Sequence, residues 1–203
     1  MFTGIVDHVG IVSEIREIAG GCTLAIQSRF SDFGLGESIA VDGTCLTVTR
    51  SIKDVFEVEL SPETLKLTRA IRYEKGTGVN LERPVALKDR MGGHVVTGHI
   101  DQVCHVVLRK QHGEFLELGF GGITGNAESF LIKKGSISLN GTSLTVNEVE
   151  KGGFQIMLIP HTLERTNLVS LQYSDVVNVE FDWMMKVIVQ EVRNVMNARG
   201  EMR

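Results

Sequence analysis

The sequence predicts an all-β protein in which two similar six-stranded barrels stand in tandem and a C-terminal amphipathic helix follows them. Three observations support this fold class. The second half of the chain repeats the first, each half carries six short strand-like segments, and residues 183–203 change to helical spacing. With 203 residues, the chain is long enough for one large domain or two small ones.

The repeat is clearest in a seven-residue segment. DGTCLTV at residues 42–48 returns as NGTSLTV at residues 140–146, which is an offset of 98. At the same offset, SPETLKLT aligns with IPHTLERT, and VNLE aligns with VNVE. Matches of this extent over one compact unit indicate an internal duplication.

The offset is smaller near the start of each half. FTGIVD at residues 2–7 aligns with VTGHID at residues 96–101, which is an offset of 94. The second half therefore contains about four additional residues, which we place in the loop around FGGITGNAES because loops accept insertions. The two halves meet near MGGHVVTG.

Strand-like segments of alternating or β-branched residues are separated by Gly and Asp in both halves. In the first half they are HVGIVSEI, CTLAIQS, ESIAVDG, CLTVTRSI, VFEVEL and GVNLERP; in the second they are QVCHVVLRK, EFLELGF, GSISLNG, SLTVNEV, GFQIMLI and VVNVEFD. Short strands with few long connections fit a closed barrel, because an open sheet would leave long edges. PETLKLTRAI and PHTLERTNLV predict short helices, each with proline at the first helical position.

The tail has no counterpart in the first half. Met184, Ile188, Val192 and Val195 fall at helical spacing, and Val189 with Met196 widens this apolar stripe. The stripe packs either on its own barrel or against another copy of the chain, and the pattern does not distinguish the two. We therefore expect one barrel domain at residues 1–94, a second at 95–184 and the helix at 185–203.

The composition excludes several classes of function. The net charge is −4 and no basic run is longer than a pair such as Lys133-Lys134, so nucleic acid is not expected as a partner. The N-terminus lacks a signal-peptide pattern and no segment approaches the roughly 20 apolar residues of a membrane span, so no membrane is expected either. Three cysteines without a CxxC spacing indicate a reduced, cytoplasmic protein without structural zinc.

One position within the repeat changes its chemistry. Cys45 in the first copy stands where Ser143 stands in the second, although the flanking Thr44 and Thr47 keep their hydroxyls as Thr142 and Thr145. A thiol and a hydroxyl are similar in size but differ in acidity and nucleophilicity. Two related pockets that hold one molecule in two roles would explain the change. Drift in a small buried slot is the alternative.

Two further positions are unusual. His99 stands opposite Ile5 of the first copy, and it is either a structural hydrogen-bonding residue or a proton-transfer group, a role for which His94 competes. Phe2 either plugs a barrel end or covers a planar ligand. No metal site is expected, because the remaining histidines lack carboxylates or thiols at ligand spacing; these are His8, His105, His112 and His161.

Taken together, MFTGIV, the paired GTCLTV and GTSLTV, GGH-x-x-x-GHI and the P-x-TL-x-x-T pair resemble the riboflavin synthase family (alpha type) over essentially the whole chain. The resemblance implies two six-stranded Greek-key barrels and a homotrimer formed through the C-terminal helices. It implies that each barrel binds one 6,7-dimethyl-8-ribityllumazine and that the productive site pairs barrels of neighbouring chains. Lumazine synthase is a possible further partner.

The activity that the resemblance implies is a transferase reaction, the last step of riboflavin biosynthesis. A four-carbon unit passes from one lumazine to the other, giving riboflavin and 5-amino-6-(D-ribitylamino)uracil without any cofactor. Lumazine proteins, which hold a lumazine or flavin as a fluorescent antenna, are the binding-only alternative. They tend to lose the second GHI and SLTV segments, which are both intact here. A barrel pair acting purely in protein interaction would not need these segments.

The resemblance also assigns substrate-binding residues, which we group by barrel. The first pocket is expected to comprise Gly4, Ile5, Val6, Cys45, Leu46, Thr47, Glu59, Leu60, Ser61, Pro62, Glu63 and Thr64. The second is expected to comprise Gly98, His99, Ile100, Lys134, Ser143, Leu144, Thr145, Ile159, Pro160, His161, Thr162, Leu163 and Glu164. His161 departs from the family pattern, because relatives often carry Glu there.

Catalytic roles are expected for five of the residues. His99 would take a proton from the acidic 7-methyl group of lumazine, since an imidazole with a pKa of about 6.5 suits proton transfer near neutrality. One of four groups would add at C7 of the partner lumazine: the thiol of Cys45, the hydroxyl of Ser143, a water or a ribityl hydroxyl. Asp182 would orient a partner group, the alternative being an exposed Asp at the end of a strand, and Phe2 would cover the ligand.

Overall fold

The computed structural model describes residues 1–199 and confirms the predicted fold class: two closed antiparallel six-stranded barrels and a C-terminal helix. The strands of the first barrel follow the order β1-β2-β5-β4-β3-β6, which is a Greek-key arrangement. They are β1 (His8–Ile18), β2 (Gly21–Gln27), β3 (Ser38–Val41), β4 (Thr44–Ile52), β5 (Val55–Leu60) and β6 (Gly78–Glu82).

The second barrel has the same order in its own numbering, β7-β8-β11-β10-β9-β12, closed on itself. Its strands are β7 (Gln102–His112), β8 (Phe115–Gly121), β9 (Ser136–Leu139), β10 (Thr142–Glu150), β11 (Gly153–Leu158) and β12 (Val176–Phe181). All twelve strands coincide with the segments that the sequence predicts. Even the irregularities repeat, because the pairing register shifts between Val12 and Glu14 in β1 and between Val106 and Leu108 in β7.

The additional residues of the second half lie where the sequence places them. The connection from β2 to β3 covers residues 28–37, whereas the connection from β8 to β9 covers residues 122–135. A 3₁₀ helix at Gly125–Phe130, which the sequence does not predict, occupies the longer loop.

Each predicted short helix is divided into two pieces. An α-helix, α1 (Pro62–Leu67), ends at Thr68, and a 3₁₀ helix follows at Arg69–Arg72. Thr68 has extended backbone angles (φ −121°, ψ 163°), and its hydroxyl accepts the N–H of Ala70. The threonine therefore ends one helix and caps the next, which propensity alone does not reveal. The second half repeats this at α2 (Pro160–Arg165), Thr166 and Asn167–Ser170.

Two hairpin turns join the barrels back to back. Asp42-Gly43 connects β3 to β4 and Asn140-Gly141 connects β9 to β10, and all four residues have positive φ, as a type I′ turn requires. A Cβ on Gly43 would lie 2.6 Å from the backbone nitrogen of Gly141, so the two turns touch. The glycines of the repeated heptapeptide therefore serve both a tight turn and a close approach between barrels.

A buried polar network surrounds the two turns. Asn80 donates from its side chain to the carbonyl of Asn140 (2.8 Å), and Asn178 donates to the carbonyl of Asp42 (2.9 Å). The Asp42 carboxylate also accepts from the side chain of Asn167, which belongs to the second half (2.8 Å). Since these groups are buried, the network fixes one relative placement of the barrels.

The C-terminal helix, α3 (Trp183–Ala198), begins at Asp182, whose carboxylate accepts the N–H of Met184 (2.9 Å). Polar contacts attach it to the second barrel: Lys186 pairs with Asp101 (2.9 Å) and Arg193 donates to Ser129 (2.8 Å). None of its residues is buried, and Met184, Ile188, Val192 and Val195 are about half exposed. The apolar stripe is thus not covered by its own barrel. In the described residues, no helix has the length and apolar character needed to cross a membrane.

Candidate active site

Two short segments cross between the halves of the chain. Phe2 and Val96 exchange backbone hydrogen bonds (2.8 and 3.1 Å) and form a small antiparallel bridge. From this bridge each segment continues to the other barrel. The carbonyl of Gly98 accepts the N–H of Cys45 (2.9 Å), and the carbonyl of Gly4 accepts the N–H of Ser143 (2.8 Å).

The first crossing creates a pocket of about 340 Å³ around Cys45. Its walls come from the start of β4, from α1 and from the segment 98–100 of the other half. We call it the Cys45 pocket; it is lined by Thr44, Cys45, Glu63, Thr64, Leu67, Thr68, Gly98, His99 and Ile100.

The second crossing creates a matching pocket of about 270 Å³ around Ser143. The equivalent elements build it: the start of β10, α2 and the segment 4–7. We call it the Ser143 pocket; it is lined by Gly4, Ile5, Val6, Asp7, Thr142, Ser143, His161, Thr162, Arg165 and Thr166. The duplication has therefore produced two related concave sites, each of which contains residues from both halves.

This exchange of segments corrects the predicted grouping. The sequence assigns residues 4–6 to the pocket of the first barrel and residues 98–100 to that of the second. The structure places residues 98–100 with Cys45 and residues 4–6 with Ser143. The grouping is wrong because each segment passes the bridge between Phe2 and Val96 before it reaches a barrel, so sequence order does not follow spatial order.

Several predicted binding residues line neither pocket within residues 1–199. Leu60 is buried in the first core, and Lys134 is exposed, with its backbone N–H bonded to the carbonyl of Val146 (2.7 Å). Residues that the two linings likewise omit are Leu46, Thr47, Glu59, Ser61, Pro62, Leu144, Thr145, Ile159, Pro160, Leu163 and Glu164. The turns thus contribute mainly the side chains on one face of each short helix.

Two of the expected catalytic residues have structural positions. Phe2 is fully buried in a small cluster with Ala40 and Val96, against which Cys45 packs, so its side chain offers no surface to a ligand in this arrangement. Asp182 is the N-cap of α3. Phe2 therefore supports the wall behind Cys45, and Asp182 starts the helix.

Two buried carboxylates hold the crossing segments, and the sequence analysis did not single them out. Glu82 accepts the backbone N–H groups of Thr3 (2.6 Å) and Gly4 (3.0 Å), and Glu180 accepts those of Thr97 (2.6 Å) and Gly98 (2.9 Å). Both also accept a threonine hydroxyl. The repeated VNLE and VNVE segments contained the signal, because a charged residue recurs at the end of an apolar strand.

The histidines of the site differ in environment. His99 is exposed at the mouth of the Cys45 pocket, on the segment that precedes β7. His94 is half-buried, and its Nδ1 lies 2.6 Å from Oγ of Ser143. Burial lowers the pKa of His94, although the nearby carboxylates of Asp182 and Glu180 oppose this effect. His94 is therefore neutral at pH 7, while His99 is open to solvent and ligand.

The two pockets also differ in charge. At equivalent positions the Cys45 pocket has Glu63 and Leu67, whereas the Ser143 pocket has His161 and Arg165. Asp7 also lines the Ser143 pocket and offsets the charge of Arg165, whereas the carboxylate of Glu63 has no lysine or arginine beside it in the lining of the Cys45 pocket. Within residues 1–199, no group of three His, Cys, Asp or Glu side chains is placed to hold a metal ion.

A larger groove of about 680 Å³ lies beside β1, β2 and α1, lined among others by Ile15, Ile18, Leu65 and Ile71. It is mainly apolar and has none of the crossing-segment contacts. The paired pockets are better candidates, because they combine repeated hydroxyl groups with titratable side chains.

Comparison with known proteins shows the family of the chain. A model of the lumazine binding domain matches residues 3–84 and 97–182, which together contain both barrels. Riboflavin synthase from Schizosaccharomyces pombe is 40% identical over 92% of this chain and 91% of its own length. The enzyme from Brucella abortus is 38% identical over 92% and 95%, and that from Bacillus subtilis 36% over 92% and 87%.

Solved structures of LumP share the fold. A crystal structure of LumP complexed with 6,7-dimethyl-8-(1'-D-ribityl) lumazine superposes with a TM-score of 0.79 at 26% identity, over 89% of this chain and 98% of that one. LumP complexed with riboflavin superposes with a TM-score of 0.81, also at 26% identity, over 89% and 99%. From the duplicated barrels, the paired pockets and these similarities, we conclude that the chain belongs to the riboflavin synthase family and is built from two lumazine binding domains.

Proposed function

We propose that this chain converts two molecules of 6,7-dimethyl-8-ribityllumazine into riboflavin and 5-amino-6-(D-ribitylamino)uracil, one lumazine occupying each type of pocket. The observation that carries this proposal is the completeness of both pockets. Each has a thiol or hydroxyl at the start of a strand, three threonines and a segment from the other half. A protein that holds one ligand would need only one of them.

Binding would use the groups that the two pockets share. Thr44 and Thr64 of the Cys45 pocket, like Thr142 and Thr162 of the Ser143 pocket, offer hydroxyls suited to the pyrimidinedione edge and the ribityl chain. Holding two flat rings in fixed orientations supplies much of the rate enhancement in a reaction between two bound molecules. No cofactor is needed, because both the four-carbon donor and its acceptor are lumazines.

Proton transfer is assigned to the Cys45 pocket. His99 is exposed within it and belongs to the segment that Glu180 holds in place. An imidazole at this position would remove a proton from the 7-methyl group, whose carbanion is delocalised into the ring. Cys45 and Ser143 are the candidate nucleophiles for C7, at equivalent positions of the two pockets.

The decisive experiment mixes the purified full-length protein with 6,7-dimethyl-8-ribityllumazine in plain buffer and follows lumazine and riboflavin by absorbance. One riboflavin formed for every two lumazines consumed would establish the reaction. Tight binding without riboflavin would instead indicate an antenna or storage function. His99→Ala is expected to lower kcat by about a hundredfold if the imidazole is the base.

The functional assembly is proposed to be a homotrimer formed through α3, in which a Cys45 pocket of one chain faces a Ser143 pocket of its neighbour. The uncovered apolar stripe on α3 supports this. Lys134 is also an expected binding residue, but it is exposed and lines neither pocket of its own chain, so it would act at a site formed with a neighbouring chain. Light scattering should give a trimer for the native chain and a monomer for Ile188→Asp. Gln190→Asp, a charge change at another exposed position of α3, should leave the trimer intact.

Two broader expectations accompany the function. The three cysteines are all unpaired, which supports a reducing compartment such as the cytoplasm. Lumazine synthase is the expected supplier of substrate, and its co-elution with this protein from a size-exclusion column would show whether the two enzymes associate.

A further inference from the structure

One hydroxyl of the active site has a dedicated imidazole partner. His94 Nδ1 lies 2.6 Å from Ser143 Oγ, at the wall of the Ser143 pocket. This distance is within hydrogen-bonding range, and the tautomer of the ring decides which atom donates. When the neutral ring carries its proton on Nε2, the Ser143 hydroxyl donates to Nδ1.

The other side of the ring is unusual. Nε2 of His94 is buried and has no hydrogen-bond partner in the described part of the chain. Leaving a buried polar atom unpaired costs about 1–3 kcal/mol of stability. A buried polar group without a partner therefore calls for an explanation, and a role in the site is one.

The backbone leaves the ring little freedom. The N–H of His94 donates to the carbonyl of Thr3 (3.1 Å), next to the bridge between Phe2 and Val96. A Cβ on the preceding Gly93 would lie 2.8 Å from Cβ of Ser143 and would also collide with the Thr3 carbonyl. Only glycine at position 93 lets this segment approach Ser143 so closely, and the approach places the imidazole against the hydroxyl.

The equivalent residue of the other pocket lacks such a partner. Among residues 1–199 the thiol of Cys45 makes no hydrogen bond with an imidazole, although His99 lines the same pocket. The Cys/Ser difference in the repeat is therefore accompanied by a difference in the surrounding structure, which drift at a single position would not produce.

We propose that His94 is a positioning residue for Ser143: it accepts the hydroxyl proton through Nδ1, fixes the rotamer and directs the Oγ lone pairs towards the molecule bound in the Ser143 pocket. This inference rests on the proposed function for the identity of that molecule, a lumazine. The Ser143 oxygen then acts as a fixed hydrogen-bond acceptor towards the bound lumazine. Donation to the imidazole of His94 polarises the O–H bond and so makes this oxygen a stronger acceptor.

The arrangement is tested first without turnover. In the full-length protein labelled with ¹⁵N-histidine, the His94 resonances should show Nδ1 unprotonated and Nε2 protonated at pH 7. Ser143→Ala should shift the Nδ1 resonance, because its hydrogen-bond donor is lost. A protonated Nδ1, or an unchanged resonance in Ser143→Ala, would overturn the proposal whether or not the protein makes riboflavin.

The second test is kinetic. His94→Ala and Ser143→Ala should each lower kcat by about tenfold or more, and the double variant should be no slower than the slower single variant, because the two residues act as a unit. His94→Asn should recover most of the rate, since its side-chain oxygen stands near the position of Nδ1 and accepts the same proton. The proposal would be wrong if the losses in kcat of the two single variants multiplied in the double variant, or if His94→Asn were as slow as His94→Ala.

A matched control uses the other histidine of the pocket. His161 lines the Ser143 pocket without a hydrogen bond to Ser143 in the described residues, so the losses of His161→Ala and Ser143→Ala should multiply. Circular dichroism on every variant separates a folding defect from a loss of positioning. If the native protein forms no riboflavin, the proposed function fails, while the NMR comparison still decides the fate of the His94–Ser143 pair.

Discussion

Cys45 in the first barrel donates its backbone N–H to the carbonyl of Gly98, which belongs to the second half of the chain (2.9 Å). The reciprocal bond runs from Ser143 to Gly4 (2.8 Å). Neither pocket is therefore formed by one barrel alone, because each contains a segment from the other half of the chain. Each pocket should respond to substitutions in that segment, which is close in space but 53 residues away in sequence for Cys45 and Gly98 and 139 for Ser143 and Gly4.

Gly98 is the residue at which this dependence is most direct. Its φ is +83°, and an added Cβ would collide with Cβ of Cys45. We expect Gly98→Ala to lower the free energy of unfolding by about 2–3 kcal/mol, combining left-handed strain with overpacking. It should also lower kcat/KM more than a hundredfold, because His99 is displaced. Urea denaturation and the riboflavin assay measure the two effects.

The matched control for this substitution is Gly76→Ala. Gly76 also has a positive φ (+96°), but an added Cβ would meet nothing within 4 Å. It should show only the strain component, about 1 kcal/mol, and retain activity. If both variants lose the same stability and activity, close approach to Cys45 is not what Gly98 provides.

The repeat made the fold predictable from the sequence. Twelve strands follow from alternation between turn residues, and the duplication doubles the evidence for each of them. What periodicity could not supply was the division of the short helices at Thr68 and Thr166, because that depends on a single side-chain cap rather than on average propensity.

The candidate site can be predicted only in part from the sequence. The predicted residues Cys45, His99 and Thr64 line one pocket, and Ser143 and Thr162 line the other, but the sequence does not predict the exchange of crossing segments. Sequence order suggests that a segment belongs to the barrel it precedes, and only the bridge between the halves reverses this. Glu82 and Glu180 were overlooked for a related reason, since their partners lie about eighty residues away.

The two buried carboxylates should be separable in function. Glu180 holds Thr97 and Gly98 beside Cys45, and Glu82 holds Thr3 and Gly4 beside Ser143. Glutamine keeps the shape but turns one acceptor into a donor that faces a backbone N–H. We expect Glu180→Gln to weaken lumazine binding in the Cys45 pocket and to lower kcat/KM about tenfold or more.

Glu82→Gln should affect the Ser143 pocket instead, and two-site fluorescence titration with lumazine distinguishes the two outcomes. Glu117→Gln is the control, since within residues 1–199 the side chain of this β8 residue pairs only with His112 and its replacement should leave both sites unchanged. Identical defects at both sites in Glu82→Gln and Glu180→Gln would contradict separate roles.

His8 makes stability depend on pH. Its Nε2 accepts the backbone N–H of Arg29 (3.0 Å) and lies 2.9 Å from Oγ of Ser28. Burial and the positive charge of Arg29 lower the pKa of His8, and the negative charge of Asp7 opposes this shift. Between the lowered folded pKa and the unfolded value of about 6.5, the unfolded chain binds more protons, so the free energy of unfolding rises with pH. Stability should therefore be lost as pH falls below about 6.5.

His8→Gln provides the comparison for this pH dependence. The glutamine oxygen stands near the position of Nε2 and can accept the same N–H, but it does not titrate. Urea denaturation between pH 5 and pH 7.5 should show a shallower slope for the variant than for the native protein. An identical slope would mean that His8 is not responsible, and His94, whose pKa is also lowered by burial, would become the candidate.

Asp42 is the asymmetric member of the network that joins the barrels, since the equivalent residue of the second half is Asn140. Its buried carboxylate accepts the hydroxyl of Tyr73 (2.7 Å) and the side chain of Asn167 (2.8 Å), and it lies 3.3 Å from the guanidinium of Arg69. Asp42→Asn removes the charge and leaves Arg69 and Tyr73 without their acceptor. Because one partner of a buried pair is lost, we expect the free energy of unfolding to fall by about 3 kcal/mol.

The control for this prediction is Asp32→Asn, at an exposed carboxylate that pairs with Arg83, which should lower the free energy of unfolding by less than about 1 kcal/mol. Equal losses in the two variants would mean that the charge of Asp42 adds nothing to what an asparagine, as at position 140, already provides for joining the barrels.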